Sequence, residues 1–300
     1  MRVVEVPTYF DDKGLDALAQ SLGTWPPDGK VLFDAHATKW ASPYGFTALL
    51  TAGQALQALG AEVPQLTLPA DKNVCSYWAK TGFFRQAAGL FELHGKVPRR
   101  QPDEASGVLL PITAVRASED VHAVVGAIQE PAARILTKEL NLEAGVSMRF
   151  SMALSEACQN VVEHAGTGGW VAVHAYNWHK RLGGRRVVVI AVSDAGIGFR
   201  ASLEAAEGKK HGDRWGDGAA LEAALIQNVS RFRDPGRGQG LAAIKRFTKQ
   251  WQGKISIRSG TARCSIVPAW DRDVPLVEGL AFFPGAQLQI VIPAQEPSAR

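Results

Sequence analysis

The most constraining feature of this 300-residue chain is an apolar run, VVVIAV at residues 187–192, that leads straight into Asp194-Ala195-Gly196-Ile197-Gly198. A run of branched aliphatics bounded by glycines reads as a strand. A carboxylate at its end offers an acceptor for an exocyclic amine, and the two glycines let a flat ligand come close to the backbone. A plain Asp-Gly turn has the same local sequence, so the run decides nothing alone.

A second feature is the row of Glu156, Asn160 and His164. Each step of four residues turns about 40° around a helix, so the three lie along one slowly drifting face. A solvated helix face explains such a row equally well. The third feature is PGRGQGLAAI, where Gly236, Arg237, Gly238 and Gly240 precede a helical segment. Glycines opening a helix present backbone N–H groups and a positive dipole end to an anion, and Arg237 adds a cation. The segment lacks the GK[ST] ending of a phosphate loop, and no apolar strand runs directly into it as in a dinucleotide fingerprint.

In order and spacing the three segments together resemble the GHKL family of gyrase-type ATPases, histidine kinases and anti-sigma serine kinases. SEACQNVVEHAG matches the N box, DAGIG the first glycine box and GRGQGL the second. The resemblance covers residues 108–300 and implies an ATP-binding domain. By that likeness Asn160 coordinates Mg²⁺ between the phosphates, Glu156 is the catalytic general base, and Asp194 binds the adenine amine. Gly196 and Gly198 make room for the base, and Gly236, Arg237, Gly238 and Gly240 hold the phosphates. His164 falls near the phosphates, where a structural histidine is an equal reading. The polar stretch 199–235 takes the place of the ATP lid, and Lys209, Lys210, His211, Arg214, Arg231 and Arg233 are its cations. Most of these read as a solvated loop. One position departs: the family often carries Gly-Thr before its last strand, and here the residues are Gly285-Ala286.

The rest of the chain supplies context. Residues 1–95 alternate strand and helix: strands at 2–6, 30–35 and 63–68, helices at 11–22, 44–59 and 73–82. The helix at 44–59 carries one apolar stripe of Phe46, Leu49, Leu50, Leu56 and Leu59. VLFDAHATKWASPYGFTALLTAGQAL resembles the STAS fold of anti-sigma-factor antagonists, with a generic α/β accessory module as the alternative. In phosphorylatable antagonists a serine directly precedes the glycine; here Pro43-Tyr44 precedes Gly45 and the nearest serine is Ser42. The resemblance therefore implies a docking module without the usual acceptor. KVPRRQPDEASG, residues 96–107, reads as a linker. The expected architecture is α+β: a STAS-like α/β domain, then a two-layer GHKL sandwich whose mixed sheet is covered by helices on one face.

Two functional classes follow: a bacterial signalling enzyme that hydrolyses ATP or phosphorylates a serine of a partner, or a nucleotide-gated interaction module with slow turnover. SEACQN is closest to the anti-sigma serine kinases, which implies a STAS-domain or sigma-factor-like protein partner; a homodimer is also compatible. A histidine kinase needs an acceptor followed by an acid, and His122 is followed by alanine. The net charge is only +4, which gives nucleic-acid binding little support. Three scattered cysteines, no apolar leader and no long apolar span point to a cytoplasmic protein with no membrane association.

Overall fold

The computed structural model describes residues 1–99, 107–143, 145–229 and 240–295. In chain order the first elements are β1 (Arg2–Glu5), β2 (Tyr9–Phe10), α1 (Asp12–Leu22), β3 (Val31–Asp34), β4 (Trp40–Ala41), α2 (Pro43–Ala58), β5 (Gln65–Thr67), α3 (Lys72–Lys80), α4 (Phe83–Ala87) and β6 (Glu92–His94). Strands β1, β3, β5 and β6 form a parallel sheet in that order, so helices carry the crossovers. Side-chain caps fix the helix starts: Asp11 accepts from the Gly14 amide, Ser42 from Gly45 and Asp71 from Asn73.

Next come β7 (Val108–Val115), α5 (Ser118–Lys138), α6 (Val146–Asn160), β8 (Gly169–Trp178), α7 (His179–Leu182), β9 (Arg185–Asp194), α8 (Gly198–Leu203), α9 (Lys209–His211), α10 (Asp217–Leu225), α11 (Gly240–Gln250), β10 (Lys254–Gly260), β11 (Ala262–Ile266), β12 (Leu276–Val277) and β13 (Phe283–Pro293). Seven strands form one sheet in the order β12-β11-β10-β13-β9-β8-β7. Every pairing in it is antiparallel, not mixed as the sequence suggested, because tight reversals join β8 to β9 and β10 to β11. One of its faces carries Val171, Val173, Val188, Ile190, Val192, Ile255 and Ile257, which pack on α5, α6 and α11.

The opposite face is also covered, contrary to the one-sided sandwich expected. It presents Ile112, Trp170, Ala172, Ala191 and Phe283, which share a core with the first module. The covering element is α2. Its stripe Phe46, Leu49, Leu50 and Leu56 is buried as expected, whereas Leu59 is exposed. Ala48, Thr51, Ala52 and Ala55 are buried too, so most of the helix surface is enclosed, with Gln54 and Gln57 on its open side. Small residues on both sides bring α2 close enough for the Thr51 hydroxyl to bond that of Ser193 at 2.7 Å, with both fully enclosed. Toward its own module, Gly53 meets Phe91 where a Cβ would clash at 2.6 Å. Replacing Thr51 by valine keeps the shape and strands the Ser193 hydroxyl. We expect a loss of about 1–3 kcal/mol by chemical denaturation.

Charge completes this seam. Lys254 and Arg258 on β10 and Arg263 on β11 are buried. Asp16 of α1 reaches Arg258 at 3.1 Å and Arg263 at 2.7 Å. Lys254 pairs with Asp271 at 2.9 Å, Asp273 at 2.7 Å and Asp12 at 3.7 Å. Burial acts to raise the Asp273 carboxyl, yet Lys254 and Arg263 hold it below its ordinary value. Most of the linker read at 96–107 lies outside the described residues.

Candidate nucleotide site

Side-chain alternation along β9 places Val188, Ile190 and Val192 against α6. Asp194 continues that register, so its carboxylate belongs to the face on which the helix of Glu156 and Asn160 lies. Gly169, paired with Asp194 across β8, shows how tightly the two meet. A Cβ there would sit 2.9 Å from Val161 and 3.1 Å from the Asp194 side chain. The helix changes pitch just past Asn160: residues 161–165 form a π turn that ends on left-handed Gly166. Such turns often mark functional sites.

Asp194 is 8% exposed and stands at the end of its strand. Burial raises its carboxyl to about 6, against the lowering effect of the Gly196 and Ala286 backbone amides. The Gly196 amide donates to Oδ1 at 2.8 Å. Ala286 lacks the hydroxyl anticipated at that position, but its main chain, paired with Asp194, orients the carboxylate.

The glycines of the DAGIG segment serve close packing of the protein on itself. Gly196 presses on the backbone of Ala165 at the end of the π turn. Gly198 has φ +72° and approaches Ser259, whose hydroxyl donates to the Gly285 carbonyl at 2.8 Å and accepts from the Phe199 amide at 3.1 Å.

Glu156 is exposed and Asn160 half-buried on α6. A Cβ on Gly240, the first residue of α11, would lie 2.5 Å from Glu156 Oε2. The last glycine of the second glycine-rich segment therefore abuts the candidate base. Gly236, Arg237 and Gly238 lie outside the described residues, as does the His164 side chain. Among the described residues no group of three or more His, Cys, Asp or Glu could hold a metal ion, and a divalent ion at Asn160 would take the rest of its shell from phosphate and water.

The stretch between the two glycine-rich segments is more ordered than the polar loop expected from its composition. Helix α10 buries Ala220, Leu221, Ala223, Ala224 and Leu225. Asp217 holds its start by accepting from the Thr261 amide and hydroxyl, both at 2.8 Å. Lys245 of α11 caps its end through the Leu225 and Ile226 carbonyls, both at 3.0 Å. Of the candidate lid cations, Lys210 bonds Glu207 at 2.6 Å and His211 stacks on Trp215, so both have local partners. Lys209 and Arg214 are exposed, and Arg231 and Arg233 lie outside the described residues.

The structure thus has a buried strand-end carboxylate on the sheet face that packs on α6, and Gly240 against Glu156. Residues 145–271 match the family model described as Histidine kinase-, DNA gyrase B-, and HSP90-like ATPase. That segment is a HATPase_c domain. The match starts one residue before α6 and takes in all three candidate segments. The match supports ATP binding by this segment, and the sheet it belongs to continues beyond the matched residues into β13. No curated protein matches the chain. Among the described residues no helix is long and apolar enough to cross a membrane.

Proposed function

We propose that the protein binds Mg-ATP between β9, α6 and the start of α11, and transfers the γ-phosphate to water or to a serine hydroxyl of a partner protein. The observation that carries this reading is the Asp194 carboxylate, enclosed at the end of a central strand and aimed to the side of α6. It would accept from the adenine amine. Asn160 would hold the magnesium ion, which supplies charge neutralisation along the phosphates. Glu156 has no hydrogen-bond or ion-pair partner among the described residues and stands open to solvent, so it is available to take a proton from the attacking hydroxyl.

The N-terminal module, read as STAS-like, serves in this proposal as a fixed support and not as a phosphoacceptor. Ser42 is 1% exposed, donates to the Phe10 carbonyl and accepts from the Gly45 amide, so its hydroxyl is committed to capping α2. An acceptor serine would come from another chain, in keeping with an anti-sigma-type kinase and a STAS-domain or sigma-factor-like partner. The buried acceptor position also supports a second reading, in which ATP orders the lid and sets partner affinity with little turnover.

Replacing Glu156 by alanine separates the two. On the enzyme reading, phosphate release or transfer falls by about 10²–10⁴-fold while calorimetric Mg-ATP affinity stays within a few-fold. Turnover that is unchanged in this variant would leave only the gated-module reading.

A further inference from the structure

Where α2, α4 and the turn leading into β8 meet, the two modules leave an open cleft of about 380 Å³. Two guanidinium groups line it, Arg85 on α4 and Arg116 just past β7. Both are exposed, and neither has an ion-pair or hydrogen-bond partner among the described residues. Among the described residues no carboxylate lines the cleft. Its other polar side chains are the carboxamides of Gln54, Gln57 and Gln86, the Thr167 hydroxyl and the Trp170 indole. Gln54 is fixed in place, donating to the Thr167 carbonyl at 2.8 Å and accepting from the Trp170 indole at 3.2 Å. Gln86 donates to the Ile112 carbonyl at 3.1 Å, which leaves its own oxygen available.

We propose that this cleft is a binding site for a small dicarboxylate. Each guanidinium is a planar fork that matches one carboxylate, and the two forks come from separate elements of separate modules. Their arrangement suits an anion with two ends. The volume sits at the low end of the roughly 300–1,000 Å³ range of small-molecule sites. A polyanionic macromolecule would need a broader basic face than a chain of net charge +4 provides.

The cleft also reaches toward the nucleotide pocket. Thr167 and Gly169 in its wall directly follow Gly166, which ends the π turn, and Ala165 of that turn packs on Gly196. A ligand held across the seam would thus stiffen the segment on which the DAGIG loop rests.

The test is calorimetric titration of the full chain, without nucleotide, with malonate, succinate and glutarate, and with butyrate as the single-carboxylate control. Leaving nucleotide out keeps the outcome independent of whether ATP binds. At least one dicarboxylate is expected to bind with one-to-one saturation and at least about tenfold more tightly than butyrate. Arg85→Ala and Arg116→Ala should each weaken it by about tenfold or more, with unchanged thermal midpoints because both side chains are exposed. The proposal is overturned if no dicarboxylate outcompetes the monocarboxylate, or if binding is the same in both variants.

Discussion

Replacing Asp194 by alanine is expected to weaken Mg-ATP binding by about a hundredfold, the upper range for one hydrogen bond to a charged group. The carboxylate is enclosed, and its orientation is set by backbone amides. Asp194→Asn keeps the shape and one acceptor oxygen, so a smaller loss of about tenfold is expected. The wild-type affinity should also fall as pH drops below about 6, where the raised carboxyl takes up its proton. The Asn variant should lack that limb, which separates Asp194 from protonation of the nucleotide itself. The unliganded protein should show the opposite trend. Folding raises this group, so the native state holds its proton more tightly than the unfolded chain does. The stability it contributes is full at low pH and is lost as pH rises from the ordinary carboxylate range through about 6. At neutral pH Asp194→Asn should therefore unfold no earlier than wild type. Calorimetry and denaturation across pH 5–8 check both trends; an Asp194→Ala affinity within threefold of wild type would remove the proposed adenine contact.

Asp16→Ala is expected to cost about 3–5 kcal/mol of stability, because it leaves the enclosed Arg258 without a counterion and the nearly enclosed Arg263 with only Asp273, at 3.8 Å. Arg258 keeps the Gly260 and Ala281 carbonyls and the face of Phe283, none of which neutralises it. The thermal midpoint should drop by roughly 5–15 °C. Adding Arg258→Met to the same chain should recover much of the loss, since an apolar side chain of similar reach suits a closed seam better than an unpaired cation. A single variant as stable as wild type, or a double variant worse than the single, would show that this ion pair does not hold the modules together.

The segments of the candidate site could be named from sequence because their residue types are constrained locally, and the structure puts Asp194 at a strand end, Glu156 and Asn160 on one helix and Gly240 at the start of another. A carboxylate must end a strand, an amide must follow an acid by one helical turn, and a glycine must open α11. The elements of the first module were legible too: Leu15, Leu18 and Leu22 repeat at helical spacing and are all fully buried. What the sequence concealed was long-range. The stripe on α2 marked only one side as apolar, yet alanine, threonine and glycine fill the other, and small residues score weakly in any periodic reading. Arg258 and Arg263 look like ordinary solvated strand residues until Asp16, more than two hundred positions earlier, is brought beside them. The helical order of α10 was hidden because its turns are built from alanines within a polar, charged stretch.

The double-sided sheet has a practical meaning for dissecting the protein. A fragment beginning at residue 107 would bare Trp170, Ala172 and Ala191 to water and strip Arg258 of its acid, so it should precipitate or misfold in isolation. By the same logic, a chimera that borrows its first ninety-nine residues from another protein must import acids at the places of Asp12 and Asp16 and small side chains along the buried helix. Otherwise the graft has nothing to seat against.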